Sequence, residues 1–250
     1  MLDQLFVYHP APWEERDWAR LSGLPLEEVW FRAQDGTRLF GWYVQAKGSP
    51  AVLLWCHGNA GNIIHRLDNL ASLYAFGLSV FLFDYRGYGR SEGTPSEPGL
   101  YQDALAAYEL LVTGKHVPPD RLVIFGRSLG AAVAGDLASR LPSAGLILES
   151  AFPSVEALAR HHYWGLPADW FVSAQFNLAA KLRAVRRPIL VIHGDRDRIV
   201  PLHMGQAVFE AAQPPKDWYV VRGAGHNDVV SVGGVSYFER FKRFVIDAIR

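Results

Sequence analysis

An α/β fold, one mostly parallel sheet of about eight strands with helices on both faces, is predicted from three observations. Short runs at 51–56, 78–84, 122–125, 145–148, 188–192 and 218–221 are predominantly apolar, without alternation. A strand covered on both faces has no polar side, so such runs mark parallel strands beneath helices. Helix-length segments separate most of them, as strand-helix-strand crossovers require. Ahead of the runs, residues 29–34 and 38–44 do alternate around Asp35-Gly36. That pair reads as an antiparallel hairpin with a type I′ turn.

The helices fit the gaps. Residues 61–76, 97–113, 129–141, 202–212 and 235–249 each place apolar side chains at three- and four-residue spacing. Residues 151–187 are more than a plain crossover needs, and they hold Tyr163, Trp164, Trp170, Phe171 and Phe176. This segment is expected to form a small helical cap over the carboxyl ends of the strands; the alternative is that its aromatics pack an enlarged crossover. No Ser/Gly/Pro-rich linker divides the 250 residues, so 1–250 reads as one domain with the cap as an insertion.

Composition removes several classes of function. Twenty-five Lys and Arg balance 25 Asp and Glu, leaving no global field for nucleic acid or an anionic membrane. The local basic run at 181–187 reads as a solvated helix end, with an anionic ligand or lipid surface as the alternative. Cys56 is the only cysteine, which rules out an intrachain disulfide and a cysteine-based metal site. His161 and His162 are adjacent rather than at helical ligand spacing, so no metal is expected. The first residues lack the layout of a signal peptide, and no run of about 18 apolar residues occurs. A cytoplasmic protein without an integral membrane span is expected.

The chemistry is carried by Gly126-Arg127-Ser128-Leu129-Gly130, which follows an apolar strand and opens a helix rich in alanine. In that strand-turn-helix context the glycines let the serine sit exposed at the strand's end. A hydroxyl is a weak nucleophile at neutral pH and needs an imidazole held in turn by a carboxylate. After the strand ending at His193-Gly194 stand Asp195 and Asp197. Asp197 is preferred as the acid, because an aspartate beside a glycine, as Asp195 is, commonly caps the turn; Glu149 is a more distant candidate. The base is expected to be His226, in the small-residue loop after the last strand, while His203 is read as opening a helix.

Acyl transfer also needs donors for the oxyanion. The turn His57-Gly58-Asn59-Ala60-Gly61-Asn62 is expected to supply the Asn59 N–H, and Leu129, next to the serine, the second. His57 itself reads as structural. Asp84 is expected to organise its loop through an ion pair with Arg86 or Arg90, a catalytic role being the alternative. Neither Gly126 to Gly130 nor Gly87-Tyr88-Gly89 fits a nucleotide-binding fingerprint.

These motifs, with Asp84-Tyr85-Arg86-Gly87-Tyr88-Gly89-Arg90-Ser91-Glu92-Gly93, resemble the serine α/β-hydrolases. More narrowly, the chain is similar to the small α/β-hydrolase domain-containing proteins that share the Asn-Ala-Gly-Asn turn and the Gly-Arg-Ser-Leu-Gly elbow. The resemblance implies an α/β-hydrolase fold with Ser128 as nucleophile, Asp197 as acid, His226 as base, and Asn59 and Leu129 as oxyanion donors. It implies hydrolysis of small-molecule carboxylic esters, with acyl lipids and thioesters within range, and no metal or organic cofactor. Trp164, Trp170 and Phe171 would then hold an apolar acyl or alcohol group. Several relatives carry an N-terminal membrane anchor that this sequence lacks, so a soluble esterase is expected. The alternatives are a peptidase or amidase of the same fold and a non-catalytic scaffold, whose mark would be a missing triad member.

Overall fold

A computed structural model describes residues 7–162 and 173–250. The chain enters through a two-residue strand, β1 (His9–Pro10), and one helical turn, α1 (Trp18–Ser22), before the hairpin β2 (Leu26–Arg32) and β3 (Arg38–Val44). Strand β4 (Val52–Cys56), the two-residue β5 (Ala60–Gly61), helix α2 (Leu67–Ala75) and β6 (Ser79–Asp84) follow. Then come α3 (Glu97–Glu109), β7 (Leu122–Arg127), α4 (Leu129–Arg140) and β8 (Gly145–Glu149). Helices α5 (Val155–His162) and α6 (Leu178–Leu182) precede β9 (Ile189–Gly194), α7 (Leu202–Ala211), β10 (Lys216–Val221) and α8 (Val229–Ala248).

Eight strands form one sheet in the order β10-β9-β8-β7-β4-β6-β3-β2. The pairs from β6 to β10 are parallel, and β3 alone runs against its neighbours. Successive side chains of a strand point to opposite faces, and here both faces are apolar. Leu54, Phe81, Ile124, Leu146 and Val191 meet Leu100, Ala131, Leu137, Leu178 and Val208 of α3, α4, α6 and α7 on one side. Leu53, Leu82, Phe125, Ile147 and Leu190 meet Leu70, Tyr237, Phe241 and Val245 of α2 and α8 on the other. This two-sided burial is why the strand runs are apolar without alternation.

Two local expectations are corrected, and one strand appears that the sequence did not announce. Of the Asp35-Gly36 pair only Gly36 has a positive φ, 88°, so the turn is not type I′, which needs both. The ladder ends at Arg32 and Arg38; Ala33 N–H donates to the Thr37 carbonyl at 3.0 Å and Gly36 N–H to the Ala33 carbonyl at 2.9 Å, which leaves a loop of three residues rather than two. The last helix begins at Val229 rather than at 235, its two helical stretches meeting at Gly234 (φ 52°, ψ −138°). Strand β1, with no apolar run to announce it, pairs with β5, His9 against Ala60 and Pro10 against Gly61.

Within 151–187, α5 lies beside the carboxyl ends of the strands, whereas α6 and Phe176 belong to the crossover layer. Leu178 and Leu182 pack against Gly135 of α4, and Phe176 is fully buried against Tyr8 and Tyr101. Trp164, Trp170 and Phe171 lie outside the described residues. In the basic run Lys181 pairs with Asp136, while Arg183, Arg186 and Arg187 are exposed, the arrangement of a solvated helix end.

Candidate active site

From β4 the chain passes to β6 on one side and returns to β7 on the other. Loops leaving the carboxyl ends at such a reversal turn opposite ways and open a crevice between them. The His57–Asn62 turn leaves β4 there, and Ser128 leaves β7.

Ser128 has φ 52° and ψ −121°, a strained conformation for a residue with a side chain. It is held because α4 lies almost on the strands. A Cβ at Gly130 would stand 2.1 Å from the Cys56 carbonyl oxygen, and one at Gly126 2.4 Å from the Gly130 carbonyl oxygen. Only glycine lets backbone approach backbone so closely. Ser128 N–H donates to the Glu149 carbonyl at 2.8 Å, tying the elbow to β8.

The structure brings Ser128, His226 and Asp197 together. Ser128 Oγ lies 3.0 Å from His226 Nε2, and His226 Nδ1 lies 2.7 Å from Asp197 Oδ2. A carboxylate only accepts, so Nδ1 carries the proton and Nε2 is left free to accept the serine's. Asp197 Oδ1 accepts the N–H groups of Ile199 and Val200 at 2.9 and 2.7 Å. Burial raises the Asp197 pKa, but the His226 hydrogen bond and charge, with the Val200 N–H, outweigh it and hold it below the ordinary value. Asp197 is thus an anion in a nearly closed site.

The other acids fall elsewhere. Asp195 Oδ1 accepts Gly223 N–H at 2.6 Å, joining the loop after β9 to the turn after β10. Glu149 takes the Arg127 Nε at 3.0 Å and the Tyr237 hydroxyl at 2.6 Å. Arg127 Nη2 then donates to the His226 carbonyl at 2.9 Å, so this buried network fixes the loop that carries the imidazole. Nothing in the spacing of Arg127, Glu149 and Tyr237 announced that link. His203 lies on α7, its ring 5.7 Å from that of His161.

A cavity of about 250 Å³ opens over Ser128. Asn59 and Leu129 line it beside the serine, and Phe152, Val155, Leu158 and Ile199 form an apolar wall that sequence reading missed. The Asn59 turn is pinned: its carbonyl accepts His9 N–H at 3.2 Å and the Tyr88 hydroxyl at 2.9 Å, and its side-chain amide donates to the Val7 carbonyl at 3.1 Å. The tie to β1 explains how the entering chain shapes the crevice. Among the described residues no group of His, Cys, Asp and Glu is arranged to hold a metal ion.

A second histidine-carboxylate pair lies under the same turn. His57 is fully buried, its Nδ1–H donating to the Gly58 carbonyl at 2.7 Å, and its Nε2 is 3.6 Å from Asp84 Oδ1. Burial pushes the imidazole down to about 3 and the Asp84 carboxyl up to about 8. The expected ion pair of Asp84 with Arg86 or Arg90 does not form. Arg86 goes to Asp103 and Asp35, and Arg90 to Glu28. Asp84 instead accepts Ile63 N–H at 3.0 Å, in a space that exists because Gly89 has no side chain.

The fold and this constellation define a hydrolase class that comparison with known proteins specifies. A family model described as serine aminopeptidase, S33, matches residues 48–171. The chain is 41% identical over 222 residues to an uncharacterized protein of Mycobacterium tuberculosis, covering 88% of this chain and 79% of that one. It is 34% identical over 220 residues to alpha/beta hydrolase domain-containing protein 17B of Homo sapiens, covering 86% and 73%. A solved esterase of Pyrococcus furiosus superposes with a TM-score of 0.80 over 98% of this chain and 99% of that chain; at 20% identity the likeness is one of fold. The chain belongs to the α/β-hydrolase superfamily. Among the described residues no helix is long and apolar enough to cross a membrane.

Proposed function

We propose that the protein is a serine hydrolase that cleaves carboxylic esters of small molecules, acyl lipids included, through an acyl-enzyme. The observation that carries the reading is the continuous hydrogen-bonded line from Ser128 Oγ through His226 to Asp197, at 3.0 and 2.7 Å. His226 Nε2 takes the Ser128 proton as Oγ bonds to the ester carbonyl carbon, and the carbonyl electron pair moves onto oxygen. The N–H groups of Asn59 and Leu129 receive that oxyanion, each such donor contributing about 2.7–4 kcal/mol to the transition state. The C–O bond to the alcohol then breaks, His226 returning its proton to the leaving oxygen. Water, deprotonated in turn by His226, attacks the acyl carbon, and Ser128 regains its proton as the acid departs. Asp197 stays ionised and balances the imidazolium. Among the described residues of 151–187, read as an insertion of the single domain, Phe152, Val155 and Leu158 cover the cavity.

Peptide hydrolysis is the second reading, favoured by the S33 match. An aminopeptidase needs a carboxylate to hold the substrate ammonium, and among the described residues the cavity is lined by two arginines and no acid. That charge favours the ester. The deciding experiment is hydrolysis of 4-nitrophenyl esters from acetate to palmitate, beside aminoacyl anilides, by wild type and Ser128→Ala. Ester turnover falling by roughly 10³–10⁶-fold in a folded variant is expected; undiminished turnover would remove Ser128 from the mechanism. Reaction of Ser128 with a fluorophosphonate separates an enzyme from a scaffold.

A further inference from the structure

Arg66 ends the helical turn after the Asn59 loop and lines the same cavity as Ser128. Its guanidinium makes one protein hydrogen bond among the described residues, from Nη2 to the Ala60 carbonyl. Among the described residues its buried Nε has no partner, and no carboxylate forms an ion pair with it. Arg127, the other cation of the cavity, is different, since Glu149 neutralises it at 3.0 Å. Asp84, the acid nearest in effect to Arg66, is held largely as the neutral acid at neutral pH by its burial. Burial and the charge of Arg127 bring Arg66 itself down to about 10, which still leaves it cationic.

A half-buried guanidinium without a counter-ion is costly unless something supplies the missing anion. No Asp or Glu lines the cavity among the described residues. The planar fork of arginine matches the paired oxygens of a carboxylate or phosphate. We infer that Arg66 is a specificity determinant that binds an anionic oxygen group on the substrate, so that the preferred esters carry a carboxylate or phosphate besides the scissile bond. The inference rests on ester hydrolysis at Ser128 and names the substrate class of that reaction.

Two matched substrate pairs test it. Mono-4-nitrophenyl adipate against 4-nitrophenyl hexanoate places the charge on the acyl side. The other pair, 4-carboxyphenyl hexanoate against 4-carbamoylphenyl hexanoate, places it on the alcohol side. Wild type is expected to prefer the charged member of at least one pair in kcat/KM. That preference should shrink at least about tenfold in Arg66→Gln, with Arg66→Lys intermediate. It should also weaken with added salt, the signature of a charge contact near solvent. Preference for the neutral member in both pairs, or an unchanged ratio in Arg66→Gln, overturns the inference. Calorimetric binding of the same four esters to Ser128→Ala decides the Arg66 question without turnover. Charged esters that bind tighter while wild type hydrolyses none would keep the anion site and refute the hydrolase. If Arg66→Gln does not fold, the wild-type preference and its salt dependence still decide.

Discussion

The molecule holds two histidine-carboxylate pairs at the carboxyl edge of one sheet, and they are opposite in character. Asp197 and His226 meet at 2.7 Å, with two backbone N–H groups on the carboxylate and a cavity in front of the imidazole. Asp84 and His57 stand 3.6 Å apart, both without solvent exposure, with the imidazole turned onto the Gly58 carbonyl. The first pair holds its acid as the anion and the second holds its acid neutral. The difference lies in what else the carboxylate receives. Donated hydrogen bonds stabilise charge, and burial without enough of them expels it. Residue type and position at a strand end are therefore insufficient to mark a proton-transfer pair.

The largest effect should come from exchanging acid for amide in each pair. Asp197→Asn is expected to lower kcat on 4-nitrophenyl esters by roughly 10⁴-fold, because the amide no longer fixes the His226 tautomer. Asp84→Asn should cost less than about tenfold in the same assay. Equal losses would break the distinction between the pairs. Next come the glycines beside them. A Cβ at Gly89 would stand 2.0 Å from Asp84 Oδ2, at a φ of 50°, whereas at Gly225 its nearest contact is 3.4 Å. Gly89→Ala should destabilise by about 2 kcal/mol or more and Gly225→Ala by less than about 1 kcal/mol, read by chemical denaturation. A tolerated Gly89→Ala would mean that the Asp84 pocket is loosely held.

Per pH unit, the most gradual effect is a stability slope. The unfolded chain releases the Asp84 proton near 3.8, while the folded protein keeps it to about 8. Between those values the folded state binds more protons, so this group makes stability fall as pH rises, by at most about 1.4 kcal/mol per unit. His57, with 6.5 unfolded and about 3 folded, acts in the opposite sense between those two values. The two largely cancel at acid pH, and above about 6.5 only the Asp84 fall remains. The stability of wild type minus that of Asp84→Asn should decline steadily from pH 5 to 8. A flat difference would show that Asp84 is ionised and that the two carboxylates are alike.

Much of this was legible in the chain. All eight strands of the main sheet correspond to runs marked by apolarity or alternation, because two-sided burial leaves no other composition for the parallel ones. Ser128, Asp197 and His226 were legible as candidates because the elbow glycines, the strand ends and the chain order are local signals, and the structure brings the three together. The partners of Asp84 were not legible, because the side chains of the arginines nearby in sequence turn to Asp35, Asp103 and Glu28 instead. Phe152, Val155, Leu158 and Arg66 went unnoticed, since lining a cavity leaves no periodic trace.

The sequence by itself determined the fold class, the sheet's strand content and the positions of the strand-end loops, because strand burial and glycine-dependent turns are properties of a few neighbouring residues. Only the tertiary structure decided which carboxylate meets which imidazole, which carboxylate meets which arginine, and where the chain's entry pins the Asn59 turn. Those outcomes depend on distances between segments far apart in the chain and on the dielectric surroundings that packing creates, neither of which is written in local sequence.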